Sequence, residues 1–270
     1  MSVTVGTNMS GLSSVRSLAT ADRQQTTSVE RLSSGRRISR AADDASGLAV
    51  SEGLRTQVGG LAVALRNTQD GISVLRTAEG GLTETHSLLH RMRDLAVQAA
   101  STGGLDPAAR ADVQTEFAQL TAELDRVADA TRFSGRQLLD GSYRTTFQVG
   151  ADVGHTIDVG IAALDAAGLG VGGLDVGTDA DTALAAVEAA IGQVSTVRAE
   201  LGAVQNRFEH NVAKVSAALD NTAAAESRIR DTDMASEMTA FSRTQILTQA
   251  GTAMLSQANQ TARGVLALLA

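Results

Sequence analysis

Residues 234–268 read MASEMTAFSRTQILTQAGTAMLSQANQTARGVLAL, and the spacing of their apolar side chains decides the fold. Met234, Met238, Phe241, Leu247, Ala250, Met254, Ala258, Thr261, Val265 and Leu268 recur by threes and fours, apart from one step of six between Phe241 and Leu247, which lines them up as one stripe on a long helix. No proline interrupts the stretch. A second stripe lies at the other end of the chain, where Leu12, Val15, Leu18, Val29 and Leu32 fall at helical spacings. Each stripe predicts an apolar helix face that requires a partner.

Working inward, Ser33-Ser34-Gly35 interrupts the first helix, and residues 36–48 mix charge, Ser and Gly as an irregular connector does. A second helix is expected from about Glu52 to Ala99, striped by Leu54, Val58, Leu61, Leu65, Ile72, Leu75, Leu82, Leu88, Leu89, Met92 and Leu95. Gly59-Gly60 and Gly80-Gly81 weaken it by about 1 kcal/mol each, so packing must compensate. Ser101-Thr102-Gly103-Gly104 ends this helix, and Asp106-Pro107 starts a third, with proline at the first helical position. That third helix carries Val113, Phe117, Leu120, Leu124 and Val127.

The period then changes. Residues 145–149 and 156–159 alternate as a hairpin around the turn 150–154, residues 162–177 read as a Gly/Ala-rich loop, and helix resumes from Thr182 to Asn221. The fold class expected is mainly α: a long helical coiled-coil or bundle rod formed by the N- and C-terminal segments, with a small β-hairpin region. Its divisions are expected at 1–43 with 231–270 (terminal helices), 44–140 with 181–230 (rod) and 141–180 (hairpin and loop, part of the rod).

Composition points the same way. Aromatics make up 2% of the 270 residues, with no Trp and one Tyr, so stability must come from aliphatic seams. A net charge of -7 gives none of the positive field that nucleic acid or anionic lipid requires. Cysteine is absent, which removes disulfides, thiolate nucleophiles and Cys-based metal sites. The start, Met1 to Asn8, has no basic and apolar leader pattern, and no apolar run reaches the ~18 residues of a membrane helix.

Motifs that carry chemistry elsewhere are incomplete here, and no catalytic, cofactor or metal site is expected. His86 and His90 lie one turn apart, but with no third ligand they read as solvated surface. Gly168 to Gly173 lacks the Lys-Ser/Thr of a phosphate loop and reads as flexible loop. Asp175, Asp179 and Asp181 lack calcium-loop spacing and read as loop and helix cap. Asn8-Met9-Ser10 and Asn259-Gln260-Thr261 match the glycosylation acceptor pattern by chance. Asp43-Asp44 and the cluster Arg228, Arg230, Asp231, Asp233 carry opposite charge and are expected to meet.

Several blocks together resemble the bacterial flagellins. They are Ser28-Val29-Glu30-Arg31-Leu32-Ser33-Ser34-Gly35, Ala42-Asp43-Asp44-Ala45-Ser46-Gly47-Leu48-Ala49, Leu201-Gly202-Ala203-Val204-Gln205-Asn206-Arg207-Phe208, Ser227-Arg228-Ile229-Arg230-Asp231, and Gln245-Ile246-Leu247-Thr248-Gln249-Ala250-Gly251 with Ala258-Asn259-Gln260. The resemblance covers residues 1–140 and 180–270. It implies a non-enzymatic subunit that polymerises into the flagellar filament, exported without a cleaved signal peptide to the cell exterior. It also implies a filament core packed from Leu12, Val15, Leu18, Val29, Leu32, Met238, Phe241, Leu247, Ala250, Met254, Ala258, Val265 and Leu268, with the termini ordering as they assemble. The short interval after Gly141 implies a minimal member without outer domains.

The partners implied are copies of the chain, the flagellar export apparatus and chaperone, and junction and cap proteins. Residues 91–98 resemble the segment recognised by the vertebrate innate receptor for flagellin, which would make Arg91, Leu95 and Glu116 the contacts. The rival is a hook–filament junction protein, which shares the terminal helices. A metallopeptidase insert is disfavoured because His-Glu-x-x-His is missing.

Overall fold

The structure is a computed structural model that describes residues 7–101 and 106–269, with backbone only for residues 262 and 265–269. Two of the expected core positions, Val265 and Leu268, therefore lie outside the described side chains, as do the start of the chain and most of the 101–104 break. Five helices and four short strands follow one another among the described residues. They are α1 (Met9–Ser34), α2 (Ala45–Ala100), α3 (Pro107–Ala130), β1 (Arg132–Phe133), β2 (Arg136–Gln137), β3 (Arg144–Gln148), β4 (Thr156–Gly160), α4 (Ala180–Arg230) and α5 (Met234–Leu269). The mainly α fold with a small β region is thus the observed one.

Helix ends follow the local chemistry. Asn8 accepts the Gly11 N–H at the start of α1, and Gly35 closes it at φ 70, donating its N–H to the Arg31 carbonyl. Asp106 caps α3 ahead of Pro107. Helix α2 starts at Ala45, before the expected Glu52, because the Asp44 carboxylate accepts the Gly47 N–H and nucleates the first turn. Asp179 likewise accepts from Thr182 and begins α4, while Asp175 accepts from Gly177 and Thr178. These aspartates serve backbone N–H groups.

The chain forms two compact units. One comprises residues up to Thr56 together with those from Asn221 onward, and the other is Gln57–Asp220; each takes part of α2 and of α4.

The 57–220 unit holds the hydrophobic core. Leu82, Leu89, Met92 and Leu95 of α2 meet Val113, Phe117 and Leu124 of α3 and Val187, Ala190, Val194 and Leu201 of α4. The glycines of α2 divide by face. Gly71 sits so close to Phe208 that an added Cβ would lie 2.8 Å from the ring, and at Gly81 it would lie 2.5 Å from Thr131. Gly59 and Gly80 face open space.

Strands β3 and β4 pair antiparallel, Arg144 opposite Gly160 and Gln148 opposite Thr156, and turn Ile157 and Val159 into the core. A smaller hairpin, β1 with β2, was not expected. Its strands are two residues each, too short for alternation to register, but Ser134-Gly135 between them adopts positive φ at both positions (49 and 81), the geometry of a tight hairpin turn.

Residues 162–177 form the irregular segment expected, but it is packed. In residues 161–177, Ile161, Leu164, Ala166, Leu169, Val171 and Val176 are buried. Side chains of α3 stand in for a ladder: Asp125 accepts the Ala166 N–H at 2.8 Å, and Gln114 accepts from Val176 N and donates to the Leu174 carbonyl. The segment is irregular because its hydrogen bonds are divided between these side chains and local backbone turns, such as Leu169 N–H to the Asp165 carbonyl and Val171 N–H to the Ala166 carbonyl. It is packed because every second or third residue is apolar.

Candidate assembly surface

Helices α1 and α5 run antiparallel: Asn8 donates to the Ala258 carbonyl, Leu18 lies 3.4 Å from where a Cβ on Gly251 would sit, Gln25 meets Thr248, and Ser28 donates to Glu237 at 2.5 Å. The residues that this seam fully buries are small or polar. Gly11, Ala21, Ser28 and Thr244 are buried, and Leu18, Phe241 and Ala258 are half-buried. Most of the other large apolar side chains face outward. Leu12 is 46% exposed, Leu247 50% and Met254 63%, with Val15, Val29 and Met238 in the same state. Ala250 is exposed and Leu32 half-buried.

The structure thus brings the sequence-predicted stripe residues onto one helix pair but does not cover them within one chain. Sequence reasoning missed Ile246, which is 66% exposed and adjoins Leu247 along a shallow groove with Met238 and Arg243. A single-stripe template passes over it because it lies one residue off the period. Two amphipathic faces are left open on adjoining helices, and an exposed apolar strip of this length costs free energy in water.

Backbone pairing closes the same unit near residues 35–37. Thr232 donates to the Gly35 carbonyl, Arg37 N–H to the Arg230 carbonyl, and Arg36 bridges Asp231. The expected meeting of Asp43-Asp44 with the arginine cluster is corrected. Asp43 accepts from the Ser39 and Arg40 N–H groups and Asp44 from Gly47 and Ser46, so both carboxylates are used in turn and cap geometry. The buried Arg230 pairs instead with Glu52 at 2.5 Å.

Each acid titrates accordingly. The Arg230 hydrogen bond holds the Glu52 carboxyl below its usual range. Backbone N–H donors, those of Arg40 and Ser39 for Asp43 and of Gly47 for Asp44, do the same.

In the 57–220 unit, Arg91 and Glu116 meet in an ion pair with Nε and Nη2 at 2.8 and 2.5 Å from one carboxylate oxygen. Leu95, expected beside them, is 1% exposed and belongs to the core. It falls on the inner stripe with Leu82, Leu89 and Met92, so its place in a surface contact is corrected. His86 and His90 stand side by side on α2. Burial first, then His90 and Arg198, lowers the His86 pKa.

The model of the bacterial flagellin N-terminal helical region matches residues 5–144, and that of the C-terminal helical region matches residues 184–269. The chain belongs to the bacterial flagellin family. Among characterised members it is similar to the flagellin of Bacillus subtilis strain 168, at 44% identity over 97% of this chain and 98% of that one. It is also similar to the flagellar filament 31.3 kDa core protein of Treponema maltophilum, at 42% identity with the same coverage.

The crystal structure of Bacillus cereus flagellin superposes at a TM-score of 0.50, with 33% identity, covering 60% of this chain and 94% of that one. A putative flagellar hook-associated protein from Vibrio parahaemolyticus has a TM-score of 0.60 at 17% identity, covering 70% and 100%, and so shares the fold. As a flagellin, the chain has its family-matched helices on both sides of an interval, residues 145–183, that contains β4, most of β3 and the packed loop. No helix among the described residues is long and apolar enough to cross a membrane.

Proposed function

We propose that this flagellin is the structural subunit of the extracellular flagellar filament, which serves swimming motility, and that it polymerises through the outward apolar faces of α1 and α5. The observation that carries the mechanism is the exposure of Leu12, Val15, Leu247 and Met254 on a helix pair whose fully buried residues are small or polar. The terminal portions, 1–43 and 231–270, pack with those of neighbouring copies into an inner layer. Burying each large side chain is worth about 1.5–3 kcal/mol, so a dozen of them offset much of the ordering entropy of two helices. Ordering of the termini is therefore coupled to assembly.

A contact of this kind repeats head to tail without closing, and the product is a helical filament. Identity favours this reading over a hook–filament junction protein, with 44% to a flagellin against 17% to the hook-associated structure. The test is seeded assembly viewed by electron microscopy with the full chain and with a chain lacking residues 231–270. Filaments from the intact chain alone are expected, and equal filaments from both refute the mechanism.

By family, the proposed route is passage of the unfolded chain through the flagellar export apparatus, escorted by a chaperone, with junction and cap proteins at the filament ends. The exposed Arg91–Glu116 pair supports contact with the vertebrate innate receptor for flagellin, with Arg91 as the anchoring cation. In a receptor reporter assay, the monomer is expected to signal and Arg91→Ala to lower the response. A silent wild-type monomer removes the receptor from the partners.

A further inference from the structure

The histidine pair of α2 has a geometry that its spacing in sequence only hints at. The Nε2 atoms of His86 and His90 are 2.9 Å apart, and the rings meet edge to face with centroids 4.4 Å apart. His90 is exposed and His86 half-buried. The Nδ1 of His86 is buried and has no hydrogen-bond partner, so the ring's polar outlet is Nε2, aimed at its neighbour. Arg198, whose charge acts on His86, is held by Glu79 at 2.6 Å, which offsets it.

The spacing of the two nitrogens is a chelate bite. Two imidazole nitrogens about 2.05 Å from one metal lie about 2.9 Å apart when they subtend 90°, and about 3.3 Å apart at a tetrahedral angle. The observed 2.9 Å fits adjacent corners of a tetragonal ion better than the tetrahedral geometry of structural zinc. The lack of a third protein ligand, which argues against zinc, is no obstacle to a tetragonal ion that keeps water in its other positions.

We propose that His86 and His90 form a bidentate surface site for a tetragonal divalent transition metal ion of the Cu(II) or Ni(II) class, held through both Nε2 atoms. As the ion binds, the proton shared by the two Nε2 atoms passes to Nδ1 of the donor ring by way of solvent, so both imidazoles stay neutral and each offers an Nε2 lone pair. The helix supplies the preorganisation, since residues four apart already face each other on one side of it.

The experiment is titration of the full-length monomer with Cu(II), followed by calorimetry and by electron paramagnetic resonance. One ion per chain with two equivalent nitrogen couplings is expected. His90→Ala, at an exposed position that leaves the core untouched, is expected to weaken binding at least tenfold and to remove one nitrogen. His210→Ala, on α4 and away from the pair, is expected to bind as the wild type does. Absence of binding by the wild type, or equal binding by wild type and His90→Ala, overturns the site.

Discussion

Gly71 and Gly80 stand nine residues apart on α2 for opposite reasons. An added methyl at Gly71 meets the Phe208 ring at 2.8 Å, whereas at Gly80 it meets nothing. Gly80→Ala is expected to stabilise the fold by about 0.4–1 kcal/mol through lost unfolded-state freedom. Gly71→Ala is expected to destabilise it by about 1–3 kcal/mol as Phe208 is displaced. Chemical denaturation reads both, and equal signs for the two would contradict the face assignment. The acids near residues 43–52 make a second residue-scale prediction. Asp43, Asp44 and Glu52 have folded-state pKa values below their ordinary ones. Their contribution is thus complete above the unfolded carboxylate range near pH 4 and is lost as pH falls through the depressed folded values. Asp44→Asn keeps a side-chain oxygen for the Gly47 N–H, so it should retain the cap while shedding part of this acid sensitivity, seen in the melting temperature between neutral and acid pH.

At the scale of the element, the contrast lies between two kinds of helix face. The inner face of α2 is closed by α3 and α4, and Leu82, Leu89 and Met92 have no exposed surface. The outer faces of α1 and α5 are unpartnered within the chain. Leu247→Asp and Met254→Asp are therefore expected to change monomer stability by no more than about 0.5 kcal/mol, as surface substitutions do, while preventing filament growth. Sedimentation after seeding is the measurement, and normal growth of both variants argues that assembly uses another face. Hydrogen exchange gives a companion test. Amides of α1 and α5 should exchange fast in the monomer and become protected on assembly, while those of α3 stay protected throughout.

For the whole molecule, the division into two units has a direct consequence. The large apolar core lies entirely within residues 57–220, and the one tyrosine, Tyr143, is buried in it. With no tryptophan present, tyrosine fluorescence reports that unit alone. A chain lacking residues 231–270 is expected to show the same Tyr143 transition midpoint as the full chain, and to lose assembly. A large fall in that midpoint would mean that the terminal helices stabilise the core unit as well.

Much of this protein was legible in the order of its residues. The periodicity of Met234 to Leu268 and of Leu12 to Leu32 marked two amphipathic helices, Asp106-Pro107 marked a helix start, and the alternation in 145–149 and 156–159 marked the larger hairpin. These features are local: spacing, caps and turn residues act over a few positions, so a linear reading captures them. What required tertiary structure was the choice among partners. Leu95 sits in the core rather than on the surface, Arg230 takes Glu52 rather than Asp44, and residues 161–177 pack against α3 through Asp125 and Gln114. Each outcome depends on contacts between residues tens to hundreds of positions apart, on which local spacing is silent. The opening stripe shows the boundary most clearly. Its period determined that α5 would have an apolar face, but only the three-dimensional packing decided that α1 covers the small side chains beside that face and leaves Leu247 and Met254 open to further copies.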